Sequence, residues 1–135
     1  AQCLVGSEMC IRDSNKRCNF PKLTRVTERL YINIEKTVTD LSYLNFKSLE
    51  SVEFLEMYGS RNTNITSLED LLPKLKSSNR ISIRLFTALY DFSLFKDIAD
   101  AMTEDAQWYV RTCGPGTVTL QQMKESATGD FTPAN

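Results

Sequence analysis

Apolar and polar residues alternate with period two through Arg80-Ile81-Ser82-Ile83-Arg84-Leu85-Phe86, the pattern of a strand with one dry and one wet face. The same alternation runs through Leu30-Tyr31-Ile32-Asn33-Ile34, Ser51-Val52-Glu53-Phe54-Leu55-Glu56-Met57 and Gln107-Trp108-Tyr109-Val110-Arg111-Thr112. Helical spacing fills the intervals. Val38, Leu41 and Leu44 follow Thr37 as a short, weak helix, and Leu68, Leu71, Leu72 and Leu75 share one helical face. A capping box at Thr66 and Glu69 opens the second of these, and Pro73 is expected to kink or split it. Leu94, Ile98, Ala101 and Met102 line a better helix, with Asp91 and Ser93 as candidate caps. Strand starts at Leu30, Val52, Ile81 and Trp108 lie 22, 29 and 27 residues apart, and crossovers of that length join parallel strands.

The alternation assigns faces. Leu30, Ile32, Ile34, Val52, Phe54, Ile81, Ile83, Leu85, Trp108 and Val110 form the expected inward set. With the strands in register, Tyr31, Glu53, Ser82 and Tyr109 make one outward row, and Asn33, Leu55, Arg84 and Arg111 make the next. A doubly wound α/β sheet, covered on both faces, would bury two arginines and a glutamate from these rows, which is costly unless each is paired. One wet face is therefore expected. A compact α/β enzyme or nucleotide-binding domain with a doubly wound sheet is the alternative, and a partnerless structural spacer is a third reading.

Val26-x3-Leu30-x-Ile32-x-Ile34, Leu49-x-x-Val52-x-Phe54 and Leu75-x5-Ile81-x-Ile83-x-Leu85 resemble the strand segment of leucine-rich repeats, whose units run about 20–29 residues. The resemblance covers about residues 23–112 and departs from the family in lacking its asparagine after the strand at the matching positions. It implies an α/β fold of repeated βα units with a parallel sheet, a fragment of a leucine-rich-repeat-like solenoid. It also implies a protein–protein interaction scaffold that meets its partner with the exposed strand face. The candidate partner-binding residues are then Tyr31, Asn33, Glu53, Leu55, Arg84, Tyr109 and Arg111, because interfaces favour aromatic residues and arginine.

Composition changes little. With 135 residues, 41% hydrophobic and 24% charged, the chain suits one globular domain. Sixteen basic against 17 acidic residues, a net charge of −1, give no electrostatic pull toward nucleic acid or membrane. No apolar run approaches the roughly 20 residues that span a bilayer, no signal peptide is visible, and a cytoplasmic location is expected. Val5-Gly6-Ser7-Glu8-Met9-Cys10-Ile11-Arg12-Asp13-Ser14 lacks a clear period. It resembles translated sequencing-adaptor read-through, as found in reading frames from environmental assemblies. Residues 1–14 are accordingly set aside as non-native, which leaves a βα repeat domain over 15–113, truncated at its N-terminus. Residues 114–135 read as a polar tail or partial further unit, fraying from Ser126.

Catalytic chemistry is poorly supplied. The chain has no histidine, which excludes Ser-His-Asp and Cys-His arrangements. With Cys3 and Cys10 set aside, Cys18 and Cys113 are too few and too far apart for the usual zinc sites. Reduced thiols are expected in preference to a disulfide between them. Cys113, before Gly114-Pro115-Gly116, reads as an unactivated strand-end cysteine more readily than as a reactive one. Asp97 with Asp100, and Glu104 with Asp105, read as surface charge. The five glycines make no phosphate loop, and Asn64-Ile65-Thr66 is a glycosylation sequon of little weight in a cytosolic protein. The expectation is no enzyme, no cofactor, no metal and a protein partner.

Overall fold

All four alternating stretches become strands, and they lie side by side in chain order. The computed structural model describes residues 5–11 and 17–134. Its strands are β1 (Val5–Ile11), β2 (Cys18–Asn19), β3 (Arg25–Asn33), β4 (Leu44–Asn45), β5 (Ser51–Asn62), β6 (Ser77–Phe86), β7 (Trp108–Cys113) and β8 (Gly116–Val118). Two short helices, α1 (Lys96–Ala101) and α2 (Leu120–Glu125), accompany them. The main sheet has six strands in the order β1-β3-β5-β6-β7-β8, and β2 and β4 form a separate parallel pair. Every pairing in the main sheet is parallel except β7 with β8. The fold is mixed α/β. Among the described residues no reversal of strand order occurs in the sheet, and no switch point of the kind a doubly wound sheet has is seen there.

Register explains the core. Leu30 pairs with Leu55, Leu55 with Ile81 and Ile81 with Trp108, while Ile32, Met57, Ile83 and Val110 make the neighbouring row. All eight side chains are buried, at roughly 1.5–3 kcal/mol for each large apolar one. Leu23, Leu49 and Leu75 bury at the strand entries, and Leu68, Leu71 and Leu72 close the far side. Entry geometry recurs as well. The Leu23 amide donates to Phe20, that of Leu49 to Phe46 and that of Leu75 to Leu72. Glu50 and Ser51 amides share the Thr24 carbonyl just as Lys76 and Ser77 amides share that of Glu50. Asn45 donates to Asn19, 26 residues earlier, at 2.8 Å.

Several expectations need correction. Neither the 38–44 nor the 68–75 segment is a helix. The Leu72 amide reaches the Leu68 carbonyl at 3.1 Å, but Pro73 has no N–H and collides with a continuing helix, so the turn stops there. The third helix forms as α1, with Ala99 buried and Ala101 exposed. Val5–Ile11, where the lack of a clear period gave no strand, is the edge strand β1, paired in parallel with β3 and burying Ile11. The remaining set-aside positions 1–4 and 12–14, with Cys3, Arg12 and Asp13 among them, lie outside the described residues, as do 15, 16 and 135. The segment expected to fray is docked. Phe92 donates to Gly129 and Phe131 to Tyr90, both at 2.9 Å, and the Phe131 ring meets Phe92 edge-on at 6.4 Å.

Asn62 anchors the end of β5 to the preceding connection. It ends β5 fully buried, donating to the Glu35 and Val38 carbonyls at 3.0 and 2.7 Å. Its side-chain oxygen accepts from the Asn64 and Ile65 amides at 2.7 and 3.0 Å. Removing that side chain orphans buried backbone groups, so Asn62→Ala is expected to cost about 2–4 kcal/mol in urea denaturation. Asn62→Asp should fare no better, since it cannot donate to either carbonyl. A loss below about 1 kcal/mol would contradict this account.

Candidate functional site: an arginine and aromatic face on the sheet

The open face of the sheet carries the candidate site, and a slip in the pleat decides who is on it. Val52, Leu55 and Met57 are all buried while Glu53 is exposed. Alternation therefore breaks between Val52 and Leu55, where the pairing with β3 shifts register between Val26 and Arg29. Leu55, expected outward, belongs to the core, and Phe54, expected inward, is half-buried on the open face. Glu53 leaves its expected row beside Tyr31 and instead accepts from Asn79 at 2.6 Å. The observed rows are Tyr31, Glu56, Ser82, Tyr109 and Asn33, Tyr58, Arg84, Arg111, preceded by Arg29, Phe54, Arg80. Leu85 also differs from expectation. Its φ of 64° turns it out of the alternation and gives its inward place to Phe86.

The structure thus brings Tyr31, Asn33, Arg84, Tyr109 and Arg111 to one face and adds Arg29, Phe54, Glu56, Tyr58 and Arg80. One signal for the slip lay in the sequence. Glu53 and Glu56 have opposite parity, so an unbroken strand would have buried one of them. Arg80 shares parity with Ser82 and Arg84 and was legible without any slip.

Guanidinium groups lie over rings across this face. Arg80 sits 4.6 Å from the Phe54 centroid and Arg29 4.9 Å from that of Tyr31. Arg84 is 5.3 Å from Tyr58 and 5.9 Å from Tyr109, and Arg111 is 4.4 Å from Tyr109. Each such contact is worth about 0.5–1 kcal/mol at an exposed site. Arg29 also donates from Nε to Glu56 at 2.9 Å and ion-pairs with the same carboxylate through Nη2, which holds its pKa above the ordinary arginine value. Among the described residues, Arg80, Arg84 and Arg111 have no carboxylate within ion-pair distance. They surround a depression of about 500 Å³. Glu56, Trp108 and the 3-10 turn at Asp105–Gln107 complete its walls. Tyr109 is 43% exposed at its rim.

The other candidates offer less. Cys113 is a free, buried thiol, so it makes no disulfide with Cys18, and burial pushes its pKa up to about 11 against partial relief from the Phe86 and Leu85 amides. Asp100 is held by Lys96 at 2.9 Å, and Glu104 caps the turn below the depression. Among the described residues, no group of three His, Cys, Asp or Glu is placed to hold a metal ion, and no helix is long and apolar enough to cross a membrane. No family model matches the chain, and neither a curated protein nor a solved structure matches it.

Two outcomes follow from the buried acids. With a thiol pKa of about 11, only on the order of 0.1% of Cys113 is thiolate at pH 8. Iodoacetamide should then alkylate it more than about a hundredfold more slowly in the native chain than in guanidinium, as read by peptide mass spectrometry. Comparable rates would refute the burial. Tyr43 has a buried hydroxyl without a hydrogen bond, and burial raises its pKa to about 12. The folded values of Tyr43 and Cys113 lie above their ordinary 10.0 and 9.0, so both favour the fold while neutral. Their contribution is complete below pH 9 and lost as pH rises through 11 and 12. Urea midpoints should hold from pH 7 to 9 and fall above it. A flat profile to pH 11 would count against both assignments.

Proposed function

We propose that this chain is a leucine-rich-repeat-like array of βα units and serves as a protein–protein interaction scaffold, with no catalytic role of its own. Sequential parallel strands and entry turns that recur 26 residues apart support the architecture. Asn62, tying the end of β5 to the preceding connection, supports it too. The partner meets the open strand face. What carries that reading is the depression bounded by Arg80, Arg84 and Arg111, with Tyr109 exposed at its edge. Arginine and tyrosine are the residues that dominate interface energetics when a partner excludes water around them. A buried free thiol at Cys113 fits a reducing, cytoplasmic compartment.

Photo-crosslinking tests the face. Benzoylphenylalanine at Tyr58 or Tyr109 should yield a discrete protein adduct in lysate of the source organism, whereas the exposed Lys74 position on the connection into β6 should not. Equal adducts from all three positions, or none from the face, would sink the proposal.

A further inference from the structure

Resting on that reading of the open face, we propose that Arg80, Arg84 and Arg111 form a receptor for carboxylate side chains on an extended, acidic segment of the partner. Arg84 and Arg111 are register partners on adjacent strands, so their backbones stand about 4.8 Å apart. Like charges on neighbouring strands repel, and the repulsion grows when a partner displaces water. On the same face Arg29 carries its own carboxylate, that of Glu56. Among the described residues the arginines of the depression have no such pair; Arg111 donates from Nη1 to the Val110 carbonyl at 3.2 Å, and the other guanidinium donors are left for an anion from outside.

Charge and stacking select the kind of anion. Glu56 and Asp105 share the depression with the three arginines, and Glu56 is already paired with Arg29, so with Arg29 counted the excess is two positive charges. That suits separate carboxylates and disfavours a run of phosphates. A single-stranded nucleic acid would also want open aromatic platforms, but guanidinium groups already cover Phe54, Tyr58 and Tyr109. Spacing adds a prediction. Arg80 and Arg84 lie four residues apart on one strand, about 13 Å, and an extended peptide has the same rise. Acidic residues four apart on the partner would therefore serve Arg80 and the Arg84–Arg111 pair together.

Fluorescence anisotropy on the full chain at physiological salt tests this with labelled extended decapeptides. One carries two glutamates four residues apart, one has them two apart, and one replaces both with glutamine. The first should bind at least about tenfold tighter than the glutamine peptide and tighter than the close-spaced one. Arg84→Gln with Arg111→Gln should abolish that preference while leaving the thermal midpoint near the parent's. Should the double variant lose its fold, Arg84→Gln alone reads the same preference. The inference is overturned by equal binding of the glutamate and glutamine peptides or by no binding. A preference that survives the variants, or tighter binding of a single-stranded oligonucleotide, overturns it equally. Adducts at Tyr58 and Tyr109 with no glutamate preference would remove the acidic partner and leave the face reading intact.

Discussion

Parallel register is the constraint on which the rest of this molecule hangs. Side chains on a strand alternate between faces, so a one-residue slip in pairing would exchange core for solvent along the whole strand. The rows Leu30–Leu55–Ile81–Trp108 and Ile32–Met57–Ile83–Val110 fix that register, because any slip would expose an entire line of apolar groups. Once these rows are dry, the intervening positions must face the other way. Arg84 and Arg111 are neighbours on the open side because Ile83 and Val110 are neighbours on the closed one.

The ends of the strands refine this placement. Beyond Tyr58, a methyl group on Gly59 would lie 2.5 Å from the Leu85 carbonyl oxygen, so β5 and β6 approach there more closely than an alanine allows. Ser60, Arg61 and Leu85 adopt positive φ in the same region, an uncommon conformation for residues with a Cβ. Asn62 then anchors the chain through buried hydrogen bonds, and its carbonyl accepts from the Thr87 amide at 3.1 Å. Tyr58 and Arg84 sit immediately before this tight crossing. Their side chains are thus carried on backbone held from both the core and the turn. At the other end of the sheet, the indole of Trp108 donates to the Val118 carbonyl at 2.8 Å, pinning the antiparallel strand that completes β7.

Much of this was legible in the residues. Period-two alternation located β3, β5, β6 and β7, the crossover lengths indicated parallel pairing, and the arginines argued for one wet face. What escaped has physical reasons. Leu55 and Phe54 changed sides because a local register shift carries no propensity signal, only the awkward parity of Glu53 and Glu56. Helical spacing at Leu68, Leu71 and Leu72 reflected burial of a turn against the sheet. Periodicity cannot separate that from a rod, although Pro73 gave warning. The 126–134 segment is small and polar, and its docking rests on backbone hydrogen bonds and Phe131, which composition hides. That Asn62 is a buried anchor was hidden, since a polar turn residue beyond the alternation of β5 carries no mark of burial.

The face also explains why its arginines are worth more than loose surface charge. A guanidinium on a free stem surrenders rotamer entropy when it grips a ligand, and that loss offsets much of the hydrogen-bond gain. Here Arg80 lies over Phe54, and Arg111 over Tyr109, before any partner arrives. The rings themselves are set by backbone register, so the forks inherit their positions from the core rows beneath. Arg84 bridges two rings, Tyr58 and Tyr109, that belong to strands on either side of its own. Part of the ordering cost is therefore met when the sheet folds. The same pairing sets the strands of Arg84 and Arg111 side by side, and in the reading proposed above it is an acidic partner that relieves their repulsion. An ordered surface with an unmet charge requirement is suited to recognition.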